Sequence, residues 1–88
     1  MAEPKPGAIH QHFKGADKKY IVLGVGTHVD TKKREVIYVP LYGENAGQIL
    51  LRNHEEWVTD VENRKLADGT VYTGDRFWPL PSTPPHLG

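Results

Sequence analysis

Apolar residues along this chain fall into short runs that alternate with polar or glycine-containing stretches, a pattern typical of a protein built from short strands. Pro40 cannot donate to a strand ladder, so an edge stretch or a bulge is expected around it. The segments predicted as strands, with a hairpin turn at Asp68-Gly69, are Ile9–Lys14, Tyr20–Val29, Glu35–Tyr42, Gln48–Arg52, Lys65–Leu66 paired with Val71–Tyr72, and Arg76–Leu80.

A single short helix is predicted directly after the fourth strand. Asn53 can cap its first turn, and Glu56 follows three residues later, as in a capping box. The helix is expected to end near Glu62, with Trp57 in its apolar stripe. Five or six short strands and one helix predict a mainly β fold, in the form of a small antiparallel SH3-like or OB-like barrel.

The length of 88 residues gives room for one small domain. Composition predicts a disordered tail over residues 1–7, a single β domain over residues 8–80 and a Pro-rich disordered tail over residues 81–88. The 11 basic and 11 acidic residues cancel, which argues against general binding to long nucleic acid or to a membrane surface. No apolar run is long enough to span a membrane and the start does not resemble a signal peptide, so a cytoplasmic protein is expected.

Several kinds of chemistry are excluded by residue type. The chain has no cysteine, and Ser82 is its only serine, which leaves no thiol nucleophile and argues against a Ser-based triad. His10 and His12 would lie on one face of a strand, where they could hold a metal ion with His28 as a third ligand. Such pairs more often have a surface or hydrogen-bonding role, so we predict no metal, no cofactor and no catalytic residue.

Strand alternation sorts the side chains of the first three strands into two faces. One set is almost entirely aliphatic and is predicted to form the core: Ile9, Phe13, Ile21, Leu23, Val25, Val29, Ile37, Val39 and Leu41. The opposite set is rich in histidine, tyrosine and glycine: His10, His12, Lys14, Tyr20, Val22, Gly24, Gly26, His28, Tyr38 and Tyr42. This second face is expected to be exposed, either as a binding platform or as a solvated surface. A bulge that shifts one strand by one residue would break the assignment.

The exposed face suggests how a ligand could be bound. Glycine lets a ligand approach the backbone, and tyrosine offers an aromatic face with a hydroxyl group. A lysine and an arginine could each contact a phosphate or carboxylate. The predicted ligand-binding residues are His12, Lys14, Gly24, Gly26, His28, Tyr38, Tyr42 and Arg52.

Three ordered motifs occur along the chain: His-Gln-His-Phe-Lys-Gly at residues 10–15, Tyr-Ile-Val-Leu-Gly-Val-Gly-Thr-His at residues 20–28, and Val-Ile-Tyr-Val-Pro-Leu-Tyr-Gly at residues 36–43. Together with a short strand ending in arginine and a helix bearing an aromatic residue, they resemble the small bacterial family called domain of unknown function 1653. The resemblance covers about residues 9–77 and implies a stand-alone bacterial or phage-like β domain. The family has no established activity, so the resemblance implies none for this chain. The positions that the family pattern specifies are His12, Phe13, Lys14, Gly15, Leu23, Gly24, His28, Tyr38, Leu41, Tyr42, Gly43 and Arg52.

These observations favour a non-enzymatic binding module for a nucleotide, a short RNA segment or a protein motif, present as a monomer or homodimer and without a membrane partner. A protein-interaction or homodimerisation domain is one alternative, because an aromatic face of low charge also suits protein contacts. A small hydrolase or lyase that uses His12 or His28 as a general base is another. The sequence does not identify the ligand, the oligomeric state or the pathway.

Overall fold

The computed structural model describes residues 2–81, which form seven strands and one short helix. The strands pair into a five-stranded antiparallel sheet in the order β4-β3-β2-β1-β7 and a separate two-stranded sheet of β5 and β6. In chain order the elements are β1 (Ile9–His12), β2 (Lys19–Thr27), β3 (Arg34–Pro40), β4 (Leu50–Asn53), α1 (His54–Val58), β5 (Val61–Lys65), β6 (Val71–Gly74) and β7 (Phe77–Pro79).

The predicted mainly β fold with antiparallel strands and one short helix is confirmed. The sheet is not a closed barrel, because within residues 2–81 strands β4 and β7 form its two edges. The predicted Pro-rich tail lies outside the described residues apart from Pro81.

Helix α1 is capped as the sequence predicts but is shorter. The Asn53 side-chain oxygen accepts a hydrogen bond of 3.0 Å from the backbone N–H of Glu56. The backbone becomes extended at Thr59, where ψ is 127°. Val61 therefore belongs to β5 and not to the helix, so β5 begins where the sequence predicts the last helical turn.

A β-bulge in β2 changes which side chains of its second half face the core. Val22 pairs with Tyr38, whereas the next registered pair is Gly24 with Ile37, so Leu23 is an extra residue in β2. The bulge shifts the alternation by one residue, because two residues of β2 then oppose one of β3. Side chains before Leu23 and side chains after it consequently follow opposite parities.

The core is mostly aromatic, and the predicted aliphatic core is wrong. The buried cluster consists of Tyr20, Val22, Val36, Tyr38, Trp57 and Phe77. Four of the predicted core residues are instead largely exposed, with exposed fractions of 41%, 49%, 77% and 49% for Ile9, Leu23, Val29 and Leu41. Phe13 is buried as predicted, and Val25 packs against the cluster.

The face of the sheet that carries His10 and Tyr20, here called the inner face, is the one that the rest of the chain covers. Trp57 of α1 stacks on Phe77 of β7 with ring centres 3.8 Å apart and an interplanar angle of 10°. Large rings remove more apolar area from water than the aliphatic side chains opposite them, which favours burial of this face. The opposite side of the sheet is here called the outer face.

Two further segments pack around the inner face. In the hairpin of β5 and β6, Tyr72 stacks on Phe13 at 5.5 Å with an interplanar angle of 12°. The sequence assigns residues 2–7 to a tail, but they contact the domain. The backbone N–H of Gly7 donates a hydrogen bond to the Val22 carbonyl, and the Glu3 carboxylate lies 2.9 Å from His54 Nε2.

Candidate functional site

A cleft of about 230 Å³ lies beside the junction of β3, β4 and the loop that joins them. It contains three of the predicted ligand-binding residues: Tyr38, Tyr42 and Arg52. The full set of lining residues is Tyr20, Tyr38, Pro40, Tyr42, Gly43, Glu44, Asn45, Leu50 and Arg52. Here the sheet ends and the loop over residues 41–49 begins, so backbone groups and side chains both reach the cleft. We refer to it as the tyrosine cleft.

Tyrosine rings supply the aromatic part of the tyrosine cleft. The hydroxyl groups of Tyr20 and Tyr42 share a hydrogen bond of 2.6 Å, and their rings meet edge to face at 5.5 Å. Burial and the hydrogen bond to Tyr42 raise the pKa of Tyr20, so its hydroxyl stays protonated at neutral pH. Tyr38 is only 5% exposed, whereas Tyr42 is partly exposed, which leaves Tyr42 as the ring that a ligand can reach.

Arg52 lines the tyrosine cleft, and Lys18, which also pairs with Asp17 at 3.5 Å, lies near it. Arg52 Nη1 is 2.7 Å from a carboxylate oxygen of Glu56, and its guanidinium lies 5.4 Å from the centre of the Phe77 ring. Burial alone would lower the pKa of Arg52, but the Tyr38 hydroxyl and the Glu56 carboxylate together raise it, so Arg52 is charged at every physiological pH. Lys18 Nζ lies 5.1 Å from the centre of the Tyr42 ring.

One nitrogen of Arg52 has no hydrogen-bond partner within residues 2–81. This atom, Nε, is buried, while Nη1 is held by Glu56. An unpaired buried donor costs free energy, and a ligand oxygen could satisfy it. Glu44 also lines the cleft and brings a negative charge to it. The electrostatics are therefore mixed, with Arg52 and Lys18 near the rings and a carboxylate on the loop.

His12 contacts the aromatic cluster and does not line the tyrosine cleft. Its ring lies 6.4 Å from the Tyr20 ring and 4.9 Å from the Phe77 ring. The pKa of His12 is lowered from 6.5 to about 4, first by burial and then by the positive charges of Lys14 and Arg52, with smaller effects from other cations. His12 is thus neutral at pH 7, and the main reason for its low pKa is burial.

The ring nitrogens of the His-x-His pair are engaged by the backbone. His10 Nε2 accepts a hydrogen bond of 3.0 Å from the Lys5 N–H, so its other nitrogen donates to the Ala8 carbonyl at 3.0 Å. Nδ1 of His12 accepts from the Lys14 N–H at 3.1 Å. In the part of the chain that the structure describes, there is no group of three or more His, Asp or Glu side chains that could hold a metal ion.

Two other predicted residues lie on the outer face. Gly26 and His28 line a separate cleft of about 170 Å³ together with Ile37 and Leu51. Nδ1 of His28 accepts hydrogen bonds of 3.2 Å from the backbone N–H groups of residues 30 and 31, which stabilises the turn between β2 and β3. Gly24 pairs with Ile37 and faces the same way, because it follows the bulge.

The expectation of one exposed face shared by all these residues is therefore wrong. Alternation puts them together only in a regular strand, and the Leu23 bulge makes β2 irregular. Tyr38 and His12 are buried on the inner face, whereas Gly26 lies on the outer face and Lys14 is exposed in the turn after β1. What remains of the predicted site is the tyrosine cleft.

Sequence analysis did not identify two residues near the cleft. Tyr20 belongs to the predicted polar face, and its position opposite Pro40 in the antiparallel register brings it beside Tyr38. Lys18 lies in the turn after β1, and nothing in its sequence context distinguishes it from its neighbour Lys19. Pairing the predicted strands in register could have found Tyr20 but not Lys18.

A larger cleft of about 460 Å³ lies at the other end of the sheet and is lined by Lys33, Arg34, Asn53, His54 and Glu55. It contains no phenyl or indole ring, and its histidine pairs with Glu3 at 2.9 Å. Volume alone does not indicate a specific site, because binding sites combine apolar or aromatic surface with a few placed polar groups. The tyrosine cleft has both.

Among residues 2–81, no helix has the length and apolar character needed to cross a lipid bilayer. Comparison with curated proteins and with solved structures finds no match for the chain. A family model described as "Protein of unknown function (DUF1653)" matches residues 8–78, which is most of the chain and all of the five-stranded sheet except the last residue of β7. The chain therefore belongs to the DUF1653 family.

Proposed function

We propose that this domain is a non-enzymatic binding module whose ligand joins a flat ring to an anionic group, as a nucleotide or the end of a short RNA does. The observation that carries the proposal is the tyrosine cleft, where the accessible Tyr42 ring lies close to two cations. Rings and cations side by side are the arrangement that proteins use for bases and phosphates.

Tyr42 is the residue that would stack on the base. The hydrogen bond between its hydroxyl and that of Tyr20 restrains the Tyr42 side chain, so little side-chain entropy is lost when a ligand binds. Stacking of a base on an aromatic side chain contributes about 1–3 kcal/mol. Tyr38 is too deeply buried for this role and would offer only its hydroxyl.

Arg52 is the residue that would contact the phosphate. Its buried Nε is a donor without a partner within residues 2–81, and Lys18 beside Tyr42 adds a second positive charge. Glu56 holds the guanidinium in position through Nη1. Because Nε is buried, the Arg52 side chain would have to turn to present it to a phosphate oxygen, and the hydrogen bond formed would be charge-assisted.

The volume of the cleft limits the ligand. About 230 Å³ is below the range of roughly 300–1,000 Å³ that is usual for sites that enclose a drug-sized ligand. A single base with its phosphate, partly exposed to solvent, fits this space better than a dinucleotide cofactor. The ligand class is therefore a mononucleotide or one terminal nucleotide of an RNA.

The buried histidines favour binding over catalysis. A general base needs an accessible nitrogen near the substrate, and His12 contacts Tyr20 and Phe77 instead of lining the cleft. Its Nδ1 lone pair is used by the Lys14 N–H. Arg52 is suited to hold an anion, and with its raised pKa it does not accept a proton at neutral pH.

The test is a titration of the isotopically labelled chain with the four nucleoside 5′-monophosphates and a short oligoribonucleotide, followed by amide NMR. We expect shifts at Tyr42, Gly43 and Arg52. Tyr42→Leu should weaken binding roughly 5- to 100-fold, corresponding to the loss of one stacked base. Tyr42→Phe is the matched control, because it keeps the ring and removes only the hydroxyl.

A second variant tests the anion contact. Arg52→Gln removes the charge and should weaken phosphate-bearing ligands while leaving binding of the bare nucleoside nearly unchanged. Lys32→Gln, in the turn between β2 and β3, removes one positive charge elsewhere and should have little effect. If none of the ligands moves the amides of the cleft, or if Arg52→Gln and Lys32→Gln behave alike, the proposed function is wrong.

A further inference from the structure

The outer face of the five-stranded sheet carries a continuous apolar band. Ile9, Ile21 and Val39 lie side by side on β1, β2 and β3, because Ile9 pairs with Ile21 and Ile21 with Val39. The neighbouring row runs from Gly24 through Ile37 to Leu51 on β4. The side chains of this band are Ile9, Ile21, Leu23, Ile37, Val39 and Leu51.

This band is accessible among the described residues. The exposed fractions of Leu23 and Leu51 are 49% and 61%, and no member of the band belongs to the buried core. Monomeric soluble proteins rarely expose contiguous apolar patches of this kind, and those that do usually use them as contact surfaces. The bulge enlarges the patch, because it adds Leu23 to the outer face beside Ile37.

The size of the band is adequate for a weak dimer. At about 4.8 Å between strands and about 3.3 Å per residue, four strands present roughly 20 Å by 20 Å, so two opposed copies would bury on the order of 1,000 Å². That area is close to the lower limit for a specific interface. An interface near this limit is expected to be weak, so the monomer–dimer equilibrium has to be measured over a wide concentration range.

Charge at the two ends of the band makes the surface complementary to itself. Lys19 lies at the start of β2. Glu35 lies on β3, where it pairs with Gly26 near the far end of β2. A two-fold axis perpendicular to the strands brings Lys19 of each copy over the partner's Glu35. Gly26 has no side chain, which leaves room for the lysine stem. An axis parallel to the strands would instead oppose lysine to lysine.

We propose that the outer face is a dimerisation surface, on which a second copy of this chain packs face to face around a two-fold axis perpendicular to the strands. Two antiparallel sheets packed in this way bury the six aliphatic side chains of each copy in a shared layer. Two Lys19–Glu35 ion pairs at its margins fix the orientation. The tyrosine cleft takes no part in this contact, so the inference does not depend on the proposed function.

The C-terminal segment of the same chain is the other candidate occupant, and its composition does not suit it. Residues 82–88 read Ser-Thr-Pro-Pro-His-Leu-Gly, so Leu87 is their only aliphatic side chain apart from the prolines. One leucine cannot cover six aliphatic side chains spread over four strands. A second copy presents a matching set, which is why we favour it.

The first experiment measures the mass of the ligand-free full-length chain by sedimentation equilibrium over a wide concentration range. We expect a monomer–dimer equilibrium in which Leu51→Glu weakens association roughly tenfold or more, because a buried carboxylate replaces an apolar contact. Val71→Glu is the matched control, since Val71 is 65% exposed but lies on the β5–β6 hairpin. A wild-type chain that stays monomeric, or a Leu51→Glu variant that associates like Val71→Glu, overturns the proposal.

The second experiment tests the orientation of the two copies. Lys19→Glu alone and Glu35→Lys alone should each weaken the dimer, and the double variant Lys19→Glu/Glu35→Lys should restore it to within about threefold. Failure of the double variant to restore association overturns the proposed axis. Circular dichroism of each variant, unchanged from the wild type, shows that the fold is retained.

The third experiment distinguishes the two occupants. A chain that ends at Pro81 keeps the whole outer face and lacks residues 82–88. We expect its dimerisation constant to match that of the full chain. If the shortened chain dimerises much more strongly, the C-terminal segment covers the face in the full chain and the dimer is not its native occupant.

Discussion

The two faces of the five-stranded sheet differ in a way that reverses the simplest interpretation of their sequences. The inner face carries rings, with Tyr20, Tyr38 and two histidines buried in or beside the cluster that contains Trp57. The outer face carries aliphatic side chains that remain partly exposed. Hydrophobicity scales rank histidine and tyrosine below isoleucine and leucine, yet in this sheet histidine and tyrosine are on the buried face. Which face of the sheet is buried therefore depends on the segments that cover it, here α1 and β7.

Several polar atoms of the inner-face rings are satisfied, although Trp57 Nε1 has no hydrogen-bond partner within residues 2–81. Both nitrogens of His10 have hydrogen-bond partners, and the Tyr20 hydroxyl is paired with that of Tyr42. With those bonds made, each ring contributes a large apolar area, which exceeds what a single Val or Ile on the outer face would contribute. Four predictions test this difference, beginning with the largest effect.

The two tryptophans offer the sharpest contrast between the faces. Trp57 is 1% exposed and stacked on Phe77, whereas Trp78 is only partly buried on the edge strand β7. Trp57→Ala should lower the free energy of unfolding by about 3–5 kcal/mol, and Trp78→Ala by less than about 2 kcal/mol. Urea denaturation followed by circular dichroism measures both. Equal losses would show that the inner face is not the main core.

Acid should destabilise the domain through His12. Above pH 6.5 His12 is neutral in the folded and in the unfolded chain. Between pH 6.5 and about 4 it is protonated in the unfolded chain but stays neutral in the folded chain. The free energy of unfolding should therefore fall by about 2 kcal/mol across this window, after allowance for solvent screening.

The check is the pH dependence of unfolding for wild type and His12→Phe in the same buffers. Carboxylates contribute equally to both curves, so their difference isolates His12. The difference should change between pH 6.5 and about 4 and stay constant above that window. Parallel curves throughout would contradict the burial of His12 in its neutral form.

Two consecutive residues at the bulge give the third contrast. Val22 is fully buried and Leu23 is 49% exposed, although the sequence assigns Leu23 to the core and Val22 to the surface. Val22→Ala should destabilise the domain by about 1–2 kcal/mol, and Leu23→Ala by about 0.5 kcal/mol, despite the larger number of atoms removed from the leucine. Thermal and urea unfolding measure both, and the reverse order would mean that Leu23 and not Val22 faces the core.

The smallest effect is expected at Gly24. A Cβ atom at this position would meet nothing within 4 Å and the backbone conformation is an ordinary one, so Gly24→Ala should leave stability within about 0.5 kcal/mol or raise it slightly. It should also leave nucleotide binding unchanged, because Gly24 is on the outer face. Gly74→Ala is the contrasting variant: φ is 151° and a Cβ would lie 2.9 Å from the Tyr72 hydroxyl, so a loss is expected.

Local signals in the sequence were enough for the elements but not for their orientation. The cap at Asn53 and the turn at Gly69 depend on neighbouring residues only, and both are found where predicted. The bulge depends on how β2 meets β3, which no window of the sequence records. Which face of the sheet is buried depends on the segments that cover it, and the bulge changes the parity only of the β2 residues after Leu23.

Only part of the candidate site was predicted, because strand alternation does not show where the ends of the strands and their loops meet. Tyr38, Tyr42 and Arg52 were grouped as members of a flat platform, yet they meet in a cleft at the end of the sheet. The grouping of these three was useful because they come from adjacent strands and their shared loop. His28 was grouped with them by alternation alone, and the turn that it stabilises lies on the opposite side of the bulge.

The carboxylate of Glu56 joins the helix to the candidate site. Its backbone N–H is held by Asn53, and its side chain holds Arg52 at 2.7 Å, so the guanidinium is oriented before any ligand arrives. Orientation in advance lowers the entropy lost on binding. Because this ion pair occupies only Nη1, a ligand anion would contact the other guanidinium nitrogens of Arg52 without displacing the Glu56 carboxylate.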